Sequence, residues 1–538
     1  MKPLNRYIAA LLVAALATGA LASITQTQLV LGKLIELDAP VTASIRLWMT
    51  LEDLARFGPV MMGIAIAALL PAFVLTHLII RHAPPTSRWR TALFPVASIV
   101  ALWVLFWLMR SVIPMPAMPG TREQFGHVLM SATGVVGGLL YAAMTPPKRQ
   151  ADGTAGRRYA AISGALIVVP IALFLWMVPP AGDKPAPVDP ASYEVQTVLS
   201  GLNRPWSVAF LPDGRALVTE MAGRLLAIAP DGSTSQIALD GLPPIFRLRA
   251  IAGLMEVALD PQFESNSLLY LTMAYGEPGA NGTRLVRARL VNDRLEDVRV
   301  LFSSTLKPSA GNNGGRIAFL RDGTLVLSLG DGSARREEAQ NLANHLGTVV
   351  RLDREGRAPA DNPFLQHPGA APEIYSLGHR NPQGIAVDPA TGELLLSEHG
   401  ARGGDEINRI EPGGNYGWPV VTDGIDYPFA RVTPFRRLEG YRDAILEWTP
   451  SIAPAGLAVY DGALFPDWRG DLLVPALKER AVRRVLRDGR QVVGEQLLLA
   501  ELEERMRDVK VAPDGAIYVV TDGTDAKLLR LVPTQVGN

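Results

Sequence analysis

Hydrophobic and polar positions change their pattern near residue 180 of this 538-residue chain. Before that point apolar residues run in unbroken blocks over 7–24, 59–80, 91–109, 125–144 and 159–178, and none of these blocks contains Lys, Arg, Asp or Glu. Each is near the ~20 residues that cross a bilayer's hydrocarbon layer, where a helix satisfies its own backbone, so the pattern predicts about five spanning helices. After it, short alternating runs are punctuated by turns at Leu211-Pro212-Asp213-Gly214, Leu320-Arg321-Asp322-Gly323, Asp388-Pro389 and Ala512-Pro513-Asp514-Gly515. The Asp-Gly turns lead into strand-like runs such as Ala216-Leu217-Val218-Thr219 and Ala516-Ile517-Tyr518-Val519-Val520. Divided into four-stranded units of roughly 50 to 60 residues, the segment 193–538 makes six blades. The predicted fold class is an all-β six-bladed β-propeller preceded by an all-α transmembrane helical domain. The domains fall at 1–180 and 193–538, with 181–192, rich in proline and alanine, as an extended linker.

Charge sets the direction of the spans. Lys2 and Arg6, then Arg81, Arg88 and Arg90, then Lys148, Arg149, Arg157 and Arg158 fall in alternate connections, which should face the cytoplasm. Five crossings then place the propeller outside a multi-pass inner-membrane anchor, in the periplasm of a Gram-negative cell. The first block, with Ala20-Leu21-Ala22, also fits a cleavable signal peptide, and either reading leaves the propeller outside. With 52 Lys+Arg against 52 Asp+Glu there is no broad attraction to nucleic acid. The absence of cysteine excludes disulfides, thiolate metal sites and thiol nucleophiles. His345, His367, His379 and His399 lack a helical zinc spacing and read as loop or packing residues, while Glu398 and Glu406 are a weak acid–base pair.

Turn glycines, a cation, amides and carboxylates crowd into Gly378-His379-Arg380-Asn381-Pro382-Gln383-Gly384, Ser397-Glu398-His399-Gly400, Asp405-Glu406-Ile407-Asn408 and Gly413-Gly414-Asn415-Tyr416-Gly417-Trp418-Pro419. Such loops on a rigid β-scaffold build polar sites. Together with Asn203-Arg204-Pro205-Trp206, Gly253-Leu254-Met255, Gly314-Gly315-Arg316, Leu329-Gly330-Asp331-Gly332, Pro475-Ala476-Leu477-Lys478 and Arg505-Met506-Arg507-Asp508, they resemble, in order, the soluble-type sugar dehydrogenases that depend on pyrroloquinoline quinone (PQQ). The resemblance covers about 199–532. It implies a propeller holding PQQ, a tricarboxylate ortho-quinone, and a calcium ion bound through backbone carbonyls matching Gly400 and Ala401. Hard oxygen ligands of this kind suit calcium, and Asp405 is a candidate acceptor behind them. By the same resemblance Arg505 and Arg507 take the cofactor's carboxylates, Lys478 and Arg380 its quinone oxygens, and Asn381 a further hydrogen bond. An Arg-x-Arg pair on a strand also puts two guanidinium groups on one face, as a polycarboxylate requires.

Two positions depart from the family pattern. Asn312 stands where the family has the histidine that takes the proton from the sugar's C1 hydroxyl, and a carboxamide cannot accept a proton near neutral pH. Ile251 stands where the family has a glutamine near substrate and cofactor. The expected function is oxidation of aldose sugars or related alcohols with hydride transfer to PQQ, in contact with membrane lipid and with membrane quinone as the electron acceptor. The alternatives are a catalytically silent PQQ- or ligand-binding propeller and a calcium-dependent propeller hydrolase.

Overall fold

The computed structural model describes residues 3–81, 87–112, 118–146 and 184–534. It divides into two compact units, one of residues 1–181 with Ile425–Pro434, the other of Gly182–Gly424 with Phe435–Asn538.

The first unit is helical. Helices α1 (Pro3–Glu36), α2 (Ala43–Arg56), α3 (Gly58–Arg81), α4 (Ser87–Val112), α5 (Gln124–Ala132) and α6 (Gly134–Met144) follow one another in the chain. Among the described residues, four helical stretches are long and apolar enough to cross a membrane: α1, α3, α4 and the run formed by α5 and α6. α1 extends well beyond the expected 7–24, and the fourth span is broken at Thr133. The expected span at 159–178 lies outside the described residues. Glycines let the helices meet closely: a Cβ on Gly19 would stand 2.6 Å from the backbone of Met62, and one on Gly138 2.5 Å from that of Pro95. The core joins Ala10, Ala14, Leu69, Phe73, Phe94 and Tyr141. α2 lies inside none of the expected spans.

The second unit is a six-bladed β-propeller of six four-stranded antiparallel sheets. The innermost strands are Pro205–Phe210, Leu254–Leu259, Ile317–Phe319, Pro382–Val387, Ala458–Val459 and Met506–Val511, opening blades 1 to 6 in turn. The Asp-Gly and Asp-Pro turns all fall between the first and second strands of their blades, where alternating runs reverse. The ring closes by exchange of ends: Tyr193–Leu202 pairs with Ala526–Pro533 and completes blade 6. That pairing removes the free edge a linear array would expose. The segment just before the first strand is pinned as well, Val188 N donating to Leu497 O at 2.8 Å.

Arg316 ties the ring together at its axis. Its guanidinium pairs with Glu256 at 2.7 Å and Asp508 at 2.8 Å, donates to the carbonyls of Gln383, Ala455 and Arg507, and lies 4.0 Å from the centre of the Trp206 ring. One side chain of blade 3 thereby touches residues belonging to, or leading into, the other five blades. Asp508 also accepts from Val208 N at 3.0 Å, joining blade 6 to blade 1.

Candidate active site

In an antiparallel blade the start of the first strand and the loop between the second and third strands lie at the same end. Arg380 and Asn381 lead into the first strand of blade 4, Asn312 precedes that of blade 3, and Arg505 and Arg507 flank the first residue of blade 6's. Gly400 and Ala401 lie between Leu394–Glu398 and Asp405–Ile410 of blade 4, and Lys478 between Leu472–Ala476 and Ala481–Asp488 of blade 5. All eight positions expected to build the site therefore belong to one end of the propeller.

Contacts link them further. Arg505 Nε donates to Asp522 Oδ2 at 2.8 Å and Arg507 Nη2 to Asp522 Oδ1 at 3.0 Å, so one carboxylate orients both guanidinium groups. Asp522 sits in the loop after the second strand of the same blade, and sequence spacing alone did not mark it. Burial lowers the affinity of Arg507 for its proton and Asp522 opposes this, while the pair of arginines holds Asp522 below the usual carboxylate range against its own burial. Arg505 also reaches the carbonyl of Leu477, next to Lys478, at 3.4 Å. Lys478 is exposed and its ammonium enters no ion pair among the described residues.

Arg380 sits over the Trp418 ring at 5.4 Å and donates to the carbonyls of His399 and Gly400. The Gly400 loop is tightly folded, since a Cβ there would fall on the carbonyl oxygens of Gly403 and Gly404. Asp405, fully buried, holds it from behind: Oδ1 accepts from Gly400 N at 2.9 Å, and Oδ2 accepts from Ser451 Oγ, Ile452 N and Ala453 N.

His399 is a neutral imidazole in this setting, its pKa pulled down to about 4 by burial, with Arg380 and Arg507 adding to the effect against Asp405. Nε2 donates to Pro454 O at 2.7 Å, because a carbonyl only accepts, which leaves Nδ1 facing Asn381 Nδ2 at 3.5 Å. His379 is a packing residue, stacked on Tyr416 and bonded to Glu398 Oε1 at 2.8 Å. Asn408 Nδ2 bridges Glu398 and Glu406, and burial with the nearby Glu398 charge raises the Glu406 carboxyl well above its usual range.

Asn312, expected on the reacting side, has positive φ and donates Nδ2 to Asp331 Oδ1 at 2.7 Å. Asp331 also accepts from Ser333 N and from Trp418 Nε1 at 2.8 Å, and its own N donates to Arg380 O. Because a carboxylate only accepts, Asp331 fixes which way the Asn312 amide points and turns Oδ1 away from it. Ile251 contributes its carbonyl, which accepts from Asn313 Nδ2 at 3.0 Å. Behind this loop lies Lys307, a residue that sequence reasoning did not single out. It is buried, donates to Asn281 Oδ1 at 2.9 Å and Ser309 O at 2.7 Å, and burial brings its pKa down to about 7 against the pull of Asp331.

Comparison with known proteins agrees with this architecture. Residues 202–530 match the family model described as Glucose / Sorbosone dehydrogenase. The aldose sugar dehydrogenase YliI of Escherichia coli is 36% identical over 350 residues, covering 64% of this chain and 94% of the relative. The quinoprotein glucose dehydrogenase B of Acinetobacter calcoaceticus is 27% identical over 414 residues, covering 62% and 86%. Among solved structures, the PQQ-bound aldose sugar dehydrogenase of Streptomyces coelicolor has a TM-score of 0.52 at 27% identity, covering 64% of this chain and 100% of that one.

Proposed function

The chain belongs to the Glucose / Sorbosone dehydrogenase family, and from that premise we propose that its propeller is the PQQ-binding domain of a membrane-anchored sugar dehydrogenase acting on an aldose or a related alcohol. The observation that carries this reading is the gathering of Arg380, Asn381, Lys478, Arg505 and Arg507 at the propeller end that also carries the Gly400 and Ala401 carbonyls. Residues 1–180 are the anchor, 181–192 the spacer and 193–538 the catalytic domain. The four apolar helices among the described residues support a membrane anchor, and the periplasmic side follows from the cations in alternate connections together with a fifth crossing at 159–178.

The donor set suits a tricarboxylate. Arg505 and Arg507 are held together by Asp522, and Lys478 presents an exposed ammonium with no competing ion pair among the described residues. When bound, PQQ would supply a two-electron ortho-quinone acceptor, with Lys478 and Arg380 as the donors to its quinone oxygens and Asn381 offering a further hydrogen bond. The carbonyls of Gly400 and Ala401 would hold Ca²⁺, and the first of them also accepts from Arg380.

Asn312 is the residue of this site that meets the substrate hydroxyl. With Nδ2 committed to Asp331, its Oδ1 accepts from that hydroxyl and orients it, and the proton passes to solvent. Loss of a general base lowers a rate by about 10² to 10⁴, so turnover is slow. The same two positions, Asn312 and Ile251, favour the second reading, a propeller that binds PQQ or a related ligand without oxidising sugars. Electrons from a working site would pass to the membrane quinone pool.

The test is dye reduction by the full-length protein in detergent, given PQQ, Ca²⁺ and a panel of aldoses. Saturable cofactor uptake with slow dye reduction is the expected result. Uptake with no reduction by any sugar selects the silent binder, and absence of uptake overturns both readings.

A further inference from the structure

Helix α2 has two faces that want different surroundings. Leu47, Trp48 and Leu51 share one face by helical spacing and are 61%, 48% and 58% exposed, whereas Met49 and Asp53 are buried. The polar groups of α2 are engaged inside the helical unit. Thr27 Oγ1 donates to Asp53 Oδ2 at 2.7 Å, Gln28 Nε2 to Thr50 Oγ1 at 2.9 Å, and Arg46 Nη1 to Gln28 Oε1 at 2.6 Å. Glu52 pairs with Arg56 and, in two-pronged fashion, with Arg431 of the segment Ile425–Pro434 that belongs to this unit.

These contacts also set the level of α2. The 34 residues of α1 span about 51 Å at 1.5 Å per residue, more than the ~30 Å of hydrocarbon. Counted from Tyr7, where the apolar block begins, Thr27 and Gln28 stand about 30 Å along the helix, one hydrocarbon thickness away. α2 packs against α1 at that height, and α3 starts at Gly58 directly after the capping residue Phe57, leaving no slack to lift α2 away.

We propose that α2 lies in the membrane interface remote from the N-terminus, with Leu47, Trp48 and Leu51 inserted at the boundary between lipid headgroups and acyl chains. The partner is the lipid surface itself, and burial of apolar area holds the helix there. Arg46 and Arg56 balance Glu52 and Asp53, so α2 brings no net charge to attract anionic lipid. A half-exposed tryptophan, its ring centre 5.0 Å from the Arg431 guanidinium, suits that depth, where an amphipathic ring has one apolar and one polar side. The inference rests on the reading of α1 and α3 as membrane spans.

The chain contains no cysteine, so single sites can be labelled without background. Leu47→Cys and Leu51→Cys, each spin-labelled in full-length protein in phosphatidylcholine vesicles, are compared by power saturation with oxygen and with a water-soluble nickel chelate. Val100→Cys on α4 (55% exposed) marks the deep control and Val493→Cys on the propeller (61% exposed) the aqueous one. The expected result is an oxygen-to-nickel ratio at 47 and 51 between the two controls, at a depth of about 5 to 10 Å below the phosphates. Nickel accessibility at 47 and 51 equal to that at 493, with 100 still in lipid, overturns the inference and leaves the anchor standing. Labels at 47 and 51 shielded from both reagents overturn it in favour of a protein partner, and nickel access at 100 overturns the anchor itself.

Discussion

Replacing Arg316 by Met tests how the propeller is held at its axis. The side chain is 2% exposed and the carboxylates it pairs with, Glu256 and Asp508, are each 1% exposed. Methionine fills a similar volume but removes the cation that pairs with both acids, and it leaves three carbonyls without this donor. Lys510, 3.3 Å from Glu256, stays as a partial counter-charge. Removing one partner of a buried pair costs about 3 to 5 kcal/mol, and the upper end is expected here because two acids then face each other. The charge count gives the pH dependence. With Arg316 and Lys510 against Glu256 and Asp508 the cluster is neutral; without Arg316 it carries one excess negative charge, which folding can relieve only by binding a proton. Burial already raises the Asp508 carboxyl, so the variant should bind a proton in the folded state that the unfolded chain has released. Its deficit should therefore shrink as pH falls from 7 toward 5. Urea unfolding of the full-length protein in detergent, followed by tryptophan fluorescence at both pH values, reads this directly. Adding Glu256→Gln to Arg316→Met should recover part of the loss. A deficit below about 1 kcal/mol that is flat with pH would refute the claim that the axial charges hold the blades together.

Three further outcomes follow from the site. Asn312→His should raise dye reduction with the best aldose by about 10² to 10⁴, with little change in PQQ affinity, and no gain would remove Asn312 from the reacting position. Asp522→Ala should lower urea stability by about 3 kcal/mol by leaving the Arg507 guanidinium buried without its counter-charge, and adding Arg507→Leu should restore much of it. Burial brings Lys307 down to about 7 in the fold, so the unfolded chain binds up to one more proton between pH 7 and 10.5 and stability should rise across that window by up to about 1.4 kcal/mol per pH unit. Lys307→Met should flatten that rise in urea melts, and an unchanged slope would mean the ammonium stays charged in the fold.

The propeller was legible because Asp213-Gly214, Asp322-Gly323, Asp388-Pro389 and Asp514-Gly515 mark the same hairpin in four blades, and the length of 193–538 in units of roughly 50 to 60 residues set the count at six. The strand period likewise put the arginines at 505 and 507 on one side, where both reach Asp522. Asp522 itself was hidden, because its partners come from another strand and only the blade's pairing brings them together. Arg316 stood in a recognised Gly-Gly-Arg run, yet its role depends on closure of the ring, which no local pattern expresses. α2 escaped notice for a different reason. Leu47, Trp48 and Leu51 are too few to register as an apolar block, and Glu52, Asp53 and Arg56 make the stretch look like an ordinary polar loop.

The most direct test of the central claim is calorimetric titration of the full-length protein in detergent with PQQ in calcium buffer, set beside the double variant Arg505→Gln, Arg507→Gln. The account predicts one PQQ per chain and an affinity at least about 10²-fold weaker in the variant, since two charge-assisted contacts of ~1.5 kcal/mol or more are lost. No binding by the unaltered protein, or equal affinity in the two, would contradict it.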